Sequence, residues 1–283
     1  MERGNHLLLR LIVSFEIAIL YTLIFLLSNH NKEIIIENPT TYQEDIDNLE
    51  KEIVFYNNIE EEINKLYEEY TDNINKLENM IVKKETKAKI AYLTFDDGPY
   101  DQTQKYLDVL KKNNVRATFF TLGKQDYKDT YIRIVNEDHT LANHTYYHSI
   151  HNGLYKSSDN FMNQVQKLED LIYSYTGHKT NIVRFPGGSA TAGKYKNEII
   201  NKLHNKGYKY VDWNCYTGDG SNELMAKHDA YYYYQDTCKD DILVILMHDY
   251  NYSTLNNLEK IINDLKDRGY ILLPLTNKSI MVK

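Results

Sequence analysis

The sequence predicts an α/β protein with a parallel sheet or barrel of about seven strands, preceded by a transmembrane helix and a long amphipathic helix. Three observations support this prediction. Short apolar runs alternate with amphipathic segments after residue 88, apolar side chains recur every three or four positions over residues 42–87, and residues 7–28 are almost continuously apolar. The predicted domains are therefore residues 1–30, 31–87 and 88–283.

The first segment, residues 7–28, is long enough to cross a hydrocarbon core of about 30 Å as a helix. Arg10 can extend toward the nearer interface, which leaves Glu16 as the one awkward charge. A buried helix of a soluble domain is the alternative, but the terminal position and the lack of a polar face oppose it. Arg3 and Arg10 favour a cytoplasmic N-terminus, with all later residues outside the cell. No small-residue cleavage signal follows Leu27, so we expect an uncleaved, single-pass anchor in the cell membrane.

The second segment contains no Gly or Pro between residues 42 and 87, and its apolar positions run from Ile46 to Ile81 with helical spacing. The apolar stripe is narrow and its flanks are charged, which is typical of a long amphipathic helix or a coiled coil with a register slip near Ile59. We interpret it as an acidic stalk that spaces a domain from the membrane or self-associates. A helix that binds another partner is the alternative.

The composition excludes some classes of function. A net charge of -7 and a pI near 5.8, without a basic stripe, argue against nucleic-acid binding. Two cysteines in a chain this long do not form a disulfide framework. A bridge between Cys215 and Cys238 stays open, and we favour free thiols because Cys215 lies in an apolar run.

The third segment has the alternation of a βα protein. Its candidate helices are residues 103–113, 161–175, 197–206 and 255–268. Strands joined by such helices form parallel sheets with right-handed connections. The candidate strands are residues 90–95, 117–122, 140–144, 182–185, 208–215, 242–248 and 270–275.

Polar side chains collect where these strands end. Asp96 and Asp97 close the first strand and must differ in environment, because neighbouring side chains of a strand point to opposite faces. A β-turn with two solvated acids is the alternative for this pair alone. Other polar groups follow the later strands, at residues 143–148, 184–188 and 246–249 and at Asp219. Since the carboxyl ends of parallel strands share one rim, the sequence predicts an active site there.

His144 and His148 are four residues apart and can point to the same side of the chain. Together with Asp97 they would form a metal site of two imidazoles and one carboxylate with open positions. Spacing of this kind is weak by itself, and two hydrogen-bonded loop histidines are the alternative. The acidic strand end at Asp97 favours the metal site.

Five motifs occur in a recognisable order, and with them the chain resembles the polysaccharide deacetylases of carbohydrate esterase family 4, which share the NodB homology domain. The resemblance covers roughly residues 88–275. It implies a distorted (β/α) barrel, a divalent metal, and removal of N-acetyl groups from glucosamine-type polymers. The expected metal is Zn²⁺, with Co²⁺, Ni²⁺ or Mn²⁺ as alternatives. The motifs are Thr-Phe-Asp-Asp-Gly-Pro at 94–99, His-Thr-x-x-His at 144–148, Arg-x-Pro at 184–186, an acid at Asp219, and Leu-x-His at 246–248.

The same resemblance implies a role for each motif residue. Asp96 would be the general base, steadied by Arg184, and His248 the general acid. Asp97, His144 and His148 would hold the metal, which lowers the pKa of its water.

Further roles concern the acid and the substrate. Asp219 is the expected partner of His248, and Asp212 is a rival. Gly187 would offer a backbone N–H to the oxyanion. Leu246 would line the acetate pocket, unless it is a plain core residue.

The chain departs from the family pattern at two places. Gly220 stands where the family often has a tryptophan that walls the acetyl pocket, and the only tryptophan, Trp213, lies seven residues earlier. Gly187 and Gly188 follow Pro186 where a tyrosine is common. The pocket wall is therefore expected to be missing or built differently, with Trp213 as a candidate substrate contact.

Two functions from different classes follow. The first is a membrane-anchored, metal-dependent deacetylase of an extracellular polysaccharide that contains N-acetylglucosamine, with peptidoglycan of the cell wall preferred over chitin-like polymers or exopolysaccharides. The second is a catalytically weak carbohydrate-binding or adhesion module on a tethered stalk, suggested by Gly187 and Gly220. The intact base, ligands and acid favour the first.

Overall fold

The structure is a computed structural model that describes residues 42–281 and residue 283. The predicted transmembrane segment, residues 7–28, lies outside the described residues. Within the described part of the chain, no helix has the length and apolar character needed to span a bilayer. The chain divides into two compact units, Met1–Ile74 and Asn75–Lys283.

The first described element is a single helix, α1 (Tyr42–Val82), of 41 residues. Its length agrees with the helical spacing of the sequence and with the absence of Gly and Pro. In the first unit, Val54 and Phe55 are 58% and 60% exposed, so this stretch presents apolar side chains to solvent. The stalk role, the coiled coil and the self-association stay predictions.

The last turns of α1 belong to the second unit. Asn75 Nδ2 donates to the Lys278 carbonyl at 2.6 Å. Glu78 is fully buried, and its carboxylate accepts from the Tyr92 hydroxyl at 2.8 Å and from the Ile280 N–H at 2.9 Å. This unit therefore starts inside the helix, whereas the sequence analysis places the start of the last domain at residue 88.

All strand pairs in the sheet of the second unit are parallel. The order along the sheet is β5-β4-β3-β2-β1-β7-β6, and β8 pairs with the first half of β1. The strands are β1 (Lys89–Asp96), β2 (Thr118–Thr121), β3 (Thr140–Asn143), β4 (Ile182–Val183), β5 (Lys209–Tyr210), β6 (Cys215–Tyr216), β7 (Ile242–His248) and β8 (Tyr270–Leu272).

The two edge strands, β5 and β6, are separated by only four residues, although they lie at opposite ends of the sheet. The five residue steps from Tyr210 to Cys215 span at most about 18 Å, so the sheet must curl round toward closure. Val211 N–H bonds a β4 carbonyl at 3.1 Å, and Asn214 N–H bonds a β7 carbonyl at 3.2 Å. The result is the distorted barrel. The prediction of one strand over residues 208–215 is wrong, because the chain crosses from one edge to the other within that run.

Helices cover the sheet and account for the amphipathic segments. Each of the four predicted helices is present within a few residues of its predicted bounds, and three shorter helices were not predicted. The helices are α2 (Thr103–Lys112), α3 (Lys128–Asn136), α4 (Ser158–Thr176), α5 (Lys196–Asn205), α6 (Asn222–Lys227), α7 (Ala230–Thr237) and α8 (Tyr252–Asp267). Cys215 and Cys238 are buried free thiols.

The register of β1 and β7 sets up the functional rim. The two strands pair from Ile90 to Asp96, and Asp96 lies directly opposite His248. Because side chains alternate along a strand, Thr94 and Asp96 share one face of β1 and meet Leu246 and His248 on the same face of β7. Residues of β1 and β7 that lie far apart in the sequence are thereby brought next to one another.

Candidate active site

Asp96 ends β1 as a buried carboxylate with a buried partner. Arg184 Nη1 donates to Asp96 Oδ1 at 2.8 Å, and the arginine is fully buried. Burial raises the pKa of the Asp96 carboxyl above its ordinary range, and the charge of Arg184 opposes that rise. The pair supplies an oriented carboxylate that can accept a proton.

Arg184 is held from several sides. Its backbone N–H donates to the Asn143 carbonyl at 2.9 Å, which fixes the residue just after β4. Nη1 also donates to Thr94 Oγ1 at 2.7 Å, and the guanidinium carbon lies 4.1 Å from the Phe120 ring centroid. Nε and Nη2 donate to the Val211 and Asp212 carbonyls at 3.3 Å and 3.4 Å, so the guanidinium has one orientation, with Nη1 directed at Asp96.

The predicted metal ligands come together on the same rim. Asp97 Oδ1 lies 3.6 Å from His144 Nε2 and 3.5 Å from His148 Nε2. One ligand atom from each of the three residues falls within 4.8 Å of the others. Asp97 reaches this position because its backbone is left-handed, with φ of 72°, which turns the side chain away from the strand direction.

Both imidazoles are held in positions that suit metal binding. His144 Nδ1 lies 2.8 Å from the Arg184 carbonyl, so this nitrogen carries the proton and Nε2 keeps its lone pair. Burial lowers the pKa of His144 to about 3, which keeps the ring neutral. His148 has a left-handed backbone with φ of 48°, and its ring centroid lies 5.0 Å from that of His144.

Asp97 Oδ1 shows that these residues fit a cation. This oxygen is buried, and it has no hydrogen-bond partner among the described residues. A buried carboxylate oxygen without a partner is costly, and a divalent ion between it and the two imidazole nitrogens would satisfy it. One oxygen and two nitrogen donors with open positions suit Zn²⁺ and similar transition ions.

His248 faces this cluster from β7 and is bound to Asp219. His248 Nδ1 lies 2.8 Å from Asp219 Oδ1, and the His248 backbone N–H donates to Asp219 Oδ2 at 2.8 Å. Burial by itself would lower the pKa of His248, but the Asp219 hydrogen bond and charge outweigh it and raise the pKa to about 9. The imidazolium form, a proton donor, is thereby favoured at neutral pH.

The structure separates the two candidate partners of His248. Asp219 is buried and also accepts from Thr254 Oγ1 at 2.6 Å, so both of its oxygens are occupied. Asp212 instead accepts from the backbone N–H and hydroxyl of Ser189, at 2.8 Å and 2.6 Å. Asp212 therefore holds the loop after β4 and does not contact the imidazole.

The three predicted substrate contacts lie in different places. Gly187 is exposed with φ of 72°, and its N–H has no acceptor among the described residues, so it is available to an oxyanion. Leu246 is half-buried on the face of β7 that carries His248. Trp213 lies beside Gly188, since a Cβ added to this glycine would be 3.2 Å from the Trp213 ring. The centroid of the Trp213 ring is 5.8 Å from the Arg184 guanidinium carbon.

Gly220 has a steric reason to be glycine. A Cβ at this position would lie 2.7 Å from His248 Cε1, closer than side chains tolerate. The aromatic neighbour of the imidazole is instead Tyr250, whose ring centroid lies 5.3 Å from that of His248. Tyr100 packs edge-on against Tyr250 at 5.3 Å. Tyr250 thus stands beside the imidazole, backed by Tyr100, although the departure at Gly220 had left the aromatic wall of the pocket undefined.

Comparison with known proteins agrees with this geometry. The sequence profile of the polysaccharide deacetylase family matches residues 83–211. A putative polysaccharide deacetylase of Bacillus subtilis, YheN, is 33% identical over 203 residues, which cover 69% of this chain and 70% of that protein. The chain belongs to the polysaccharide deacetylase family.

Two further relatives of this polysaccharide deacetylase carry more specific names. A peptidoglycan-N-acetylglucosamine deacetylase of Bacillus cereus is 33% identical over 204 residues, covering 66% of this chain and 68% of that protein. The crystal structure of the catalytic domain of peptidoglycan N-acetylglucosamine deacetylase from Eubacterium rectale superposes with a TM-score of 0.61 at 35% identity. The superposition covers 68% of this chain and 91% of that domain.

Two residues that shape the deacetylase site, Asp249 and Tyr250, were given no role from the sequence. Asp249 is fully buried, accepts from Thr103 Oγ1 at 2.6 Å, and packs against Gly98, whose absent Cβ would lie 2.1 Å from its Oδ2. It therefore supports the turn that carries Asp97. Burial raises the pKa of Asp249 to about 7. The signal in the sequence that could have identified Asp249 is its position directly after His248, at the end of a strand. Tyr250, the next residue, has the same signal.

Proposed function

We propose that this polysaccharide deacetylase is a metal-dependent hydrolase that removes N-acetyl groups from an extracellular polysaccharide containing N-acetylglucosamine, namely peptidoglycan. One observation carries the proposal. The pair Asp96 and Arg184 approaches the Asp97, His144 and His148 cluster at His144, 3.7 Å from Asp96 Oδ2, and the pair His248 and Asp219 approaches it at Asp97, 3.9 Å from His248 Nε2. A base, an ion site and an acid within one rim are what amide hydrolysis needs.

Asp97, His144 and His148 would hold the divalent ion, for which Zn²⁺ is our choice. When bound, such an ion lowers the pKa of water and polarises a carbonyl oxygen. Asp96 is placed to take the proton of the attacking water, because its Oδ2 lies 3.7 Å from His144 Nε2 and its Oδ1 is fixed by Arg184. Asp96 therefore acts as general base.

The remaining residues act on the acetyl group and the amine. Water adds to the amide carbon, the C–N bond breaks, and acetate and a free amine leave. His248 donates the proton that the amine nitrogen needs, and Asp219 stabilises the imidazolium before that transfer. The N–H of Gly187, for which the described residues offer no acceptor, would donate to the developing oxyanion.

The choice of peptidoglycan rests on two supports. The relatives in Bacillus cereus and Eubacterium rectale are named for that polymer. The apolar segment at residues 7–28 would anchor the chain in the cell membrane, with the N-terminus in the cytoplasm and the deacetylase unit outside. Helix α1 would then act as the stalk that carries the unit to a fixed polymer, alone or as a self-associated coil.

Acetate release from purified peptidoglycan and from chitin oligomers tests the proposal. We expect release from peptidoglycan that stops with a chelator and returns with Zn²⁺. Asp97→Ala should abolish it, while Asp267→Ala, an exchange of an exposed acid at the C-terminal end of α8, serves as the control. Release that survives both chelation and Asp97→Ala would contradict the mechanism. Release from chitin oligomers alone would contradict the substrate.

A further inference from the structure

A pocket of about 600 Å³ adjoins the metal-ligand cluster on the side of His148. It is formed by the loop that follows this histidine and by Gln164 of α4. The described residues that line it include no carboxylate; besides His148 and Gln164 they are Tyr147, Ser149, Ile150, His151 and Asn152. The proposed reaction assigns no role to any of these neighbours of His148.

The pocket leads toward the predicted oxyanion position. Ile150, one of its walls, lies so close to Gly187 that a Cβ there would be 3.3 Å from the Ile150 side chain. A polymer with its acetyl group between His148 and Gly187 therefore places a neighbouring sugar beside this loop. The loop is also fixed, because Tyr147 N–H donates to Gln164 Oε1 at 3.1 Å and Gln164 Nε2 donates to Ser149 Oγ at 2.9 Å.

Tyr147 gives the pocket an aromatic edge. Its side chain is 58% exposed, and its ring packs edge-on against the buried ring of Tyr146 at 4.6 Å. An exposed ring that is held in place by a buried ring can stack against the apolar face of a sugar, and little side-chain entropy is lost on binding.

Lys167 adds a positive charge at this edge. Its ammonium contacts the Tyr147 hydroxyl and lies 4.1 Å and 4.4 Å from the ring centroids of Tyr146 and Tyr147. Among the described residues, the charged and polar partners of Lys167 are the two tyrosines, and no ion pair joins it to a carboxylate. A cation held over two rings, beside a pocket without acids, can pair with a carboxylate on a ligand.

We propose that this pocket, which we call the Tyr147 pocket, binds the sugar next to the one that is deacetylated and selects a sugar with an acidic substituent. The ring of Tyr147 stacks against the sugar, and the ammonium of Lys167 pairs with the carboxylate of that sugar. The inference rests on the proposed deacetylase function and deepens it. It accounts for discrimination between an acidic glycan, such as peptidoglycan with its peptide carboxylates and the free lactyl carboxylates of its peptide-free sugars, and a neutral one such as chitin.

Steady-state kinetics on two soluble tetrasaccharides test this inference in the metal-loaded protein. One probe is a peptidoglycan tetrasaccharide with lactyl carboxylates, and the other is chitotetraose. We expect Lys167→Met to lower the ratio of kcat/KM for the acidic probe to that for the neutral probe about tenfold, which is about 1.4 kcal/mol. The change should lie in KM and should shrink as salt is added, since the contact is exposed.

Matched variants separate this effect from a general loss of activity. Lys179→Met is the control, because Lys179 also lies over an exposed ring, that of Tyr173 at 5.7 Å, outside the pocket lining. Tyr147→Ala should lower kcat/KM for both tetrasaccharides far more than for p-nitrophenyl acetate, which is too small to reach the pocket. Tyr147→Phe, which keeps the ring, should restore most of that loss.

The outcomes distinguish the two proposals. If the unmodified protein deacetylates neither tetrasaccharide, the proposed function itself fails. If it deacetylates them but Lys167→Met leaves the ratio unchanged, or lowers both values equally, the Tyr147 pocket does not select acidic sugars. Trp213 is the only tryptophan, and its fluorescence verifies that each variant is folded.

Discussion

His248 and Asp219 are joined through both the side chain and the backbone of the histidine. The imidazole Nδ1 lies 2.8 Å from one carboxylate oxygen, and the backbone N–H donates to the other at 2.8 Å. Such a two-point contact fixes the position of the ring as well as its charge. Most of the expected behaviour of the site depends on whether this imidazole is kept protonated and in place.

Asp219→Asn should reduce kcat about a hundredfold at pH 8, within the usual contribution of a general acid. The pKa of His248 is raised in the folded protein, so the proton donor persists well above pH 6.5 and is lost as pH rises. Without the Asp219 charge, burial dominates and the alkaline limb of kcat/KM should move to lower pH. A pH profile measures this. Asp212→Asn is the control, and an unchanged limb in Asp219→Asn would show that Asp219 does not tune His248.

Arg184→Met should destabilise the deacetylase unit by about 3–5 kcal/mol, because it leaves the buried Asp96 carboxylate without its partner. Asp96→Asn in the same chain should recover part of that loss, since the buried charge is then removed. Urea unfolding followed by Trp213 fluorescence measures the free energy of unfolding. Equal losses in Arg184→Met and in the double variant would mean that Asp96 does not depend on Arg184.

Glu78→Gln should flatten the dependence of stability on pH. Burial raises the pKa of Glu78 from 4.5 to about 7, so its contribution is fully present below about pH 4.5 and is lost as pH rises through about 7. The difference corresponds to about 3 kcal/mol. The urea midpoint of Glu78→Gln should therefore exceed that of the unmodified protein at pH 8 more than at pH 5. A constant difference at both values would contradict a buried, protonated Glu78.

Gly220→Ala should lower kcat with little change in the free energy of unfolding. The added Cβ would lie 2.7 Å from His248 Cε1, so the ring has to turn away from its working position. Because residue 220 is exposed, the rest of the unit can tolerate the methyl group. Steady-state kinetics and urea unfolding on the same samples separate the two effects. Wild-type kcat in Gly220→Ala would show that the close approach has no bearing on the acid.

The rim residues were predictable because each one directly follows an apolar run. Asp96, Asp97, His144, His148 and His248 could be placed together once parallel strands were assumed, and the structure brings them within contact distance. Their catalytic roles stay predictions. The apolar runs show where the strands end, and the carboxyl ends of the strands in a parallel sheet share one edge.

Other features depend on spatial relations that one-dimensional patterns do not contain. Residues 208–215 include Tyr208, Tyr210, Val211 and Trp213, which favour a strand, and only the curl of the sheet places the two ends of this run on opposite edges. The choice between Asp212 and Asp219 depended on which of them packs under β7. Tyr250 and Asp249 were given no role because the role assigned to their neighbour His248 already accounted for polar residues at the end of β7.

A zinc-edge anomalous diffraction map from crystals of the zinc-loaded protein shows whether Asp97, His144 and His148 hold the metal. It locates the metal independently of activity. We expect one strong peak about 2.0–2.2 Å from a carboxylate oxygen of Asp97 and from Nε2 of both His144 and His148. A peak ligated instead by His248 and Asp219, or no peak at the three predicted ligands, would contradict it.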